Sequence, residues 1–104
     1  MGDKTCLLDE ALCQVAIDLS GRGYAVIDMG KSDNEGEFSI DMARHFYESL
    51  SSNGRFGIHV RVLEGKNDHH ILESSFKTFS RAFREASSFD PRRQNNIAST
   101  KGTL

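Results

Sequence analysis

Tryptophan is absent from this 104-residue sequence, proline occurs once and cysteine twice. Two cysteines are too few for a disulfide framework, and Cys6 and Cys13 match no CxxC metal pattern, so both are expected to be reduced thiols. No stretch reaches the roughly 18 consecutive apolar residues that a membrane-spanning helix needs. Asp3, Lys4, Asp9 and Glu10 interrupt the region where a signal peptide would be apolar. A cytoplasmic protein without a membrane partner is the expectation, or a plastid protein if the chain derives from a longer plant precursor. Neither sign of charge dominates. With 13 Lys and Arg against 15 Asp and Glu, the net charge of −2 disfavours a nucleic-acid partner held by phosphate electrostatics.

What is present is ordinary globular material, 38% hydrophobic and 27% charged, so disorder of the whole chain is disfavoured. The length suits one domain or part of one. A domain of this size buries roughly 60–70% of its unfolded surface, which permits a thin core and makes a covering partner valuable.

The apolar residues between Ala11 and Leu19 lead into Ser20-Gly-Arg-Gly23 and then Tyr24-Ala-Val-Ile-Asp-Met29, which predicts two strands around a glycine-bearing turn. Gly30 to Glu37 reads as a surface loop. Ser39 is the expected N-cap of a helix carrying Ile40, Ala43, Phe46, Tyr47 and Leu50 and ending at Asn53-Gly54. Phe56, Ile58, Val60 and Val62 alternate with polar or small residues as a strand with one buried face. Asn67 or Asp68 caps a second helix, whose Leu72, Phe76, Phe79, Phe83 and Ala86 form the cleanest periodic stripe in the chain. The tail from Phe89 to Leu104 reads as irregular. The order is ββαβα, and a two-layer α+β domain with both helices on one sheet face is the economical packing.

The strongest chemical signal is Asp68-His-His-Ile-Leu-Glu73. On a helix His69 and Glu73 are four apart and His70 and Glu73 three apart, so their side chains can converge. Imidazole nitrogen and carboxylate oxygen on one ridge suit a borderline divalent metal. The competing reading is a solvated polar first turn with acids favoured by the helix dipole. One helix cannot complete four ligands. His45 lies one step round from the apolar face of the first helix, and His59 on the alternate face of its strand; each alone reads as a surface or partly packed histidine. Ser99-Thr-Lys-Gly102 holds the components of a small anion site, and Arg22 in its tight turn offers a bidentate fork for phosphate, though most turn arginines are merely solvated.

Together these pieces resemble the C-terminal half of the imidazoleglycerol-phosphate dehydratase family. The blocks are Leu8-Asp-Glu-Ala-Leu12, Val15-Ala-Ile-Asp-Leu-Ser-Gly-Arg22, His45-Phe46 with Glu48-Ser-Leu50, Gly65-Lys-Asn-Asp-His-His70, Glu73-Ser-Ser-Phe-Lys77, Asp90-Pro-Arg92 and Ser99-Thr-Lys-Gly102, in the family's order over nearly the whole chain. The resemblance implies one of two pseudo-symmetric halves of a subunit, ribosomal protein S5 domain 2-like in fold, within a homo-oligomeric shell of twenty-four subunits. It implies a hydro-lyase of histidine biosynthesis that eliminates water from imidazole glycerol phosphate to give imidazole acetol phosphate, using two manganese ions at subunit interfaces. Carried over by motif, the metal ligands are His45, His69, His70 and Glu73. Lys77 and Glu73 are the catalytic candidates, and Arg22, Ser99 and Lys101 grip the substrate phosphate. Ala98 and Gly23 stand where the family usually has proline, and the family's first half, with its own HHxxED segment, has no counterpart here. The alternative reading is a non-catalytic metal-binding or self-associating half-module.

Overall fold

The computed structural model describes residues 1–30 and 38–88. Six elements follow one another: β1 (Gly2–Leu8), β2 (Ala11–Asp18), β3 (Tyr24–Asp28), α1 (Phe38–Gly54), β4 (Gly57–Glu64) and α2 (Asp68–Ser87). The strands form a four-stranded sheet ordered β1-β2-β4-β3. β2 pairs antiparallel with both β1 and β4, whereas β3 runs parallel to β4, and α1 makes the crossover that a parallel pair requires.

Alternation decides which face is covered. Cys13, Val15 and Ile17 of β2 and Ile58, Val60 and Val62 of β4 are buried together with Ile40, Ala43 and Tyr47 of α1 and Ile71 and Ala82 of α2. The intervening Gln14, Asp18, His59 and Arg61 face away and are exposed. The expected α+β two-layer architecture is the one observed.

Three local expectations are corrected. The order is βββαβα, because Gly2–Leu8 forms an edge strand whose polar Asp3, Lys4 and Thr5 hide the period-2 signal. It is tied to α2 by tertiary contacts: Lys4 Nζ lies 2.6 Å from Glu85 Oε2, and the Asp3 amide donates to Glu85 Oε1 at 3.0 Å. The two strands expected around Ser20-Gly-Arg-Gly23 are present as β2 and β3, with β4 lying between them in the sheet and β1 as the hairpin partner of β2. Ser39 is the second residue of α1, not its cap. The aromatic stripe of α2 is not its deepest face: Ile71, Ser74, Ser75, Thr78 and Ala82 are buried, while Phe76 is exposed and Leu72, Phe79, Phe83 and Ala86 are half-buried.

The last correction has a physical reason. Small side chains let α2 approach the sheet closely, and their hydroxyls are satisfied within the helix or on β1. Ser74 Oγ donates to the Cys6 carbonyl at 3.2 Å, Thr78 Oγ1 to the Ser74 carbonyl at 2.6 Å, and Ser75 Oγ to the Leu72 carbonyl at 2.9 Å while also bonding Tyr47 OH at 3.0 Å. The phenylalanines instead meet α1 sideways, with Phe76 and Phe79 ring centroids 5.7 and 5.4 Å from that of Tyr47. At the end of α1, Arg55 takes the left-handed position (φ 55°), while Gly54 leaves room for the Phe56 ring, 2.7 Å from where a Cβ would sit. The expected loop over 31–37 and the irregular tail from Phe89 onward lie outside the described residues.

Candidate functional site

The start of α2 is fixed by Asn67, which caps it: its side-chain oxygen accepts from the His70 amide at 3.1 Å, and its carbonyl accepts from the Ile71 amide at 2.9 Å. That turn presents His69, His70 and Glu73 along one edge. His69 Nε2 stands 3.2 Å from Glu73 Oε2, and the His69 and His70 ring centroids are 6.2 Å apart. The spacing read from the sequence therefore does bring His69 to Glu73.

A second element meets this edge. The β1–β2 connection is only Asp9-Glu10, with Asp9 in the left-handed region (φ 50°), and it turns Glu10 against the start of α2. Glu10 Oε1 lies 2.5 Å from His70 Nδ1, and Glu10 Oε2 accepts from the Lys66 and Asn67 amides at 2.9 and 3.3 Å. Asp9 Oδ2 is 3.5 Å from His70 Nε2. One turn beyond Glu73, Lys77 donates its ammonium to the Leu7 carbonyl at 3.3 Å.

The electrostatics follow from these contacts. The Lys66 amide first, and then the His70 ring, hold the Glu10 carboxyl down at about 2. His70 is moved the other way, raised chiefly by its hydrogen bond to Glu10; desolvation opposes this, and the charges of Glu10, Asp9 and Glu73 add smaller upward contributions. The result is an acid-rich cluster that favours a cation beside the imidazoles.

The remaining predicted residues lie elsewhere. His45 is exposed on α1, beside the Phe46 and Tyr47 rings that contact α2. Arg22 is exposed in the turn after β2, where it lines a concavity of about 600 Å3 with Ala16, Asp18, Ser20, Tyr24 and His59. That turn is at the opposite end of β2 from Glu10: eight residues at about 3.3 Å each put roughly 23 Å of strand between them. Ser99 and Lys101 lie outside the described residues.

Asp9 and Glu10 are the residues that sequence reasoning missed as site members. Two acids between the apolar pairs Leu7-Leu8 and Ala11-Leu12 were a hairpin signal, but it carries meaning only once β1 is recognised as a strand.

Among the described residues, no three His, Cys, Asp or Glu side chains are gathered closely enough to hold a metal unaided. The chemistry of the donor set nevertheless fits a divalent ion. His69 and Glu73 pair nitrogen with oxygen on one ridge, and His70 has its Nδ1 engaged by Glu10 and its Nε2 turned toward an exposed carboxylate. A complete coordination sphere needs donors from beyond this helix.

Comparison with known proteins identifies the relatives of this chain. The family profile described as imidazoleglycerol-phosphate dehydratase matches residues 1–83. An imidazoleglycerol-phosphate dehydratase from Dehalococcoides mccartyi is 49% identical over 105 aligned residues, covering 100% of this chain and 54% of that protein. The chloroplastic imidazoleglycerol-phosphate dehydratase 1 of Arabidopsis thaliana is 43% identical, covering 99% of this chain and 38% of that one. Among solved structures, the Pyrococcus furiosus enzyme in complex with (S)-C348 superposes with a TM-score of 0.78 at 34% identity, over 86% of this chain and 51% of that one. The Staphylococcus aureus enzyme gives the same TM-score at 32% identity, over 86% and 52%. The chain thus spans about half the length of the nearer bacterial relatives and the solved structures it matches. With the family profile matching residues 1–83, the chain belongs to the imidazoleglycerol-phosphate dehydratase family.

Proposed function

We propose that this chain supplies one half of a metal-dependent dehydratase acting on imidazole glycerol phosphate, in a homo-oligomer whose sites are completed by other chain segments. The observation that carries the reading is the edge of α2, where His69, Glu73 and His70 stand together and Lys77 follows one turn later. His69, His70 and Glu73 would hold the ion, with His45 joining from another part of the assembly. Manganese is the proposed ion. When bound, it supplies a Lewis acid that lowers the cost of deprotonating the substrate's imidazole.

The chain's own residues account for the rest. Lys77 places an ammonium beside the ridge, where it would balance the carboxylate of Glu73 or contact the substrate. Arg22 presents a planar fork suited to a phosphate, and Ser99 and Lys101 are the proposed further phosphate contacts. Because roughly 23 Å of β2 separates the Arg22 turn from the histidines, one small substrate cannot reach both within a single copy. The two ends of β2 therefore serve different sites, and each site draws on more than one copy.

The test assembles this chain with the segment of the Dehalococcoides mccartyi relative that it does not match, adds Mn2+, and follows water elimination from imidazole glycerol phosphate. Manganese-dependent turnover that His70→Ala abolishes is expected. A stable assembly that binds Mn2+ yet performs no dehydration would sink the enzymatic reading and leave the metal-binding half-module.

A further inference from the structure

A histidine that binds metal through one ring nitrogen is oriented by whatever holds the other. Of the two adjacent imidazoles on α2, only His70 is held, among the described residues, by a carboxylate from a different element. His69 is 80% exposed and faces Glu73 of its own helix, whereas His70 is 31% exposed and packed against the β1–β2 turn. We infer that Glu10 is a positioning residue for His70: its carboxylate keeps the neutral ring protonated at Nδ1 and so leaves the Nε2 lone pair free for a divalent cation.

The inference follows from what each atom can do. An ionised carboxylate only accepts hydrogen bonds, so at 2.5 Å from Glu10 Oε1 the His70 Nδ1 must carry the hydrogen. A neutral imidazole has one N–H, hence Nε2 has none. The carboxylate cannot swing away cheaply, because Oε2 is the acceptor for both the Lys66 and the Asn67 amides. Asp9 Oδ2 at 3.5 Å from Nε2 is too distant for a tight hydrogen bond and too exposed, at 73%, to impose the opposite tautomer. Glu10 thus ties together the turn before β2, the backbone entering α2 and the ring of His70. The role toward a cation rests on the metal-binding reading of His70 given above; the tautomer does not.

Glu10→Gln separates the two duties. The Lys66 and Asn67 amides need an acceptor oxygen, so the amide carbonyl must take the Oε2 position and place its NH2 opposite His70 Nδ1. An NH2 group donates, so Nδ1 must now accept and the ring hydrogen moves to Nε2, while the backbone anchor survives. The measurement is long-range 15N–1H NMR of the His70 ring in the metal-free chain, at a pH where the ring is neutral, assigned by its loss in His70→Asn. Equilibrium dialysis against Mn2+ accompanies it.

The expected result is Nδ1–H in the wild type, Nε2–H in Glu10→Gln, and Mn2+ binding weakened about 10- to 100-fold in the variant. Wild-type His70 protonated at Nε2 would overturn the inference, and that spectrum decides the matter even if the variant fails to fold. An unchanged ring in a folded Glu10→Gln would overturn it as well. A wild type with the expected ring but no bound Mn2+ would instead defeat the metal-centre reading and with it the role of Glu10 toward a cation, an outcome distinct from failure of the tautomer.

Discussion

The aromatic ridge on the outer side of the helices sets a quantitative expectation for association. Met42, Phe46 and Phe76 are 52%, 47% and 41% exposed, and the Phe46 and Phe76 rings meet edge to face at 5.9 Å. A phenylalanine buries on the order of 200 Å2 when fully covered, so each ring still shows about 80–95 Å2, worth about 2 kcal/mol at 25 cal/mol per Å2. With Met42 the ridge offers about 6 kcal/mol per chain, doubled when two copies meet face to face, against an association cost of roughly 4–15 kcal/mol. Those magnitudes put self-association within reach at tens of micromolar. Sedimentation velocity is expected to show a species heavier than the 11.6 kDa chain. The double variant Phe46→Glu with Phe76→Glu should sediment as a monomer with an unchanged far-UV spectrum, because neither ring lies in the buried core. A wild-type chain that stays monomeric at about 100 μM, where a complex worth only some 5–6 kcal/mol would begin to populate, would refute the reasoning.

Three further outcomes follow from other parts of the structure. In the assembly with the complementary segment, Arg22→Ala and His70→Ala should each abolish dehydration, yet mixing the two inactive chains before assembly should restore about one quarter of the sites, since each site draws the two residues from different copies; no recovery would mean that one copy supplies both. Burial pushes the Cys13 thiol up to about 11 from 9.0, and raises the Tyr47 phenol as well. For an acid whose folded value is raised, the stabilisation is complete below the unfolded value and fades as pH rises through the folded one, so urea midpoints should hold to about pH 9 and fall toward pH 11; a flat midpoint across that window would contradict the burial. Gly65→Ala would place a Cβ 2.5 Å from Ile71 Cγ1, in a region where Ile71 is buried, and should cost about 1–3 kcal/mol in chemical denaturation; an unchanged midpoint would show that Ile71 can step aside.

The legibility of this chain was uneven for identifiable reasons. β4 was plain because Phe56, Ile58, Val60 and Val62 keep strict alternation against a polar face, and its buried positions are the ones that pattern marks. α2 is plain as a helix, but its sheet-facing side is not legible, because Ser74, Ser75 and Thr78 look polar in one dimension and become core once their hydroxyls find carbonyls and Tyr47. The His69 and Glu73 pair was readable from helical spacing alone. Glu10 was not, since its partner is 60 residues away along the chain.

Local order of hydrophobic and polar residues was enough to determine the layers of this protein, the helix that carries the histidines and the pairing of His69 with Glu73, because those depend on neighbours within one turn or one strand. Only the tertiary structure decided that β4 lies between β2 and β3, that Gly2–Leu8 forms one edge of the sheet, that Glu10 reaches His70, and that Arg22 stands at the far end of β2 from both. Such contacts join segments far apart in sequence, and no periodicity encodes them; they form when the sheet and the two helices pack together and bring the β1–β2 turn to the start of α2.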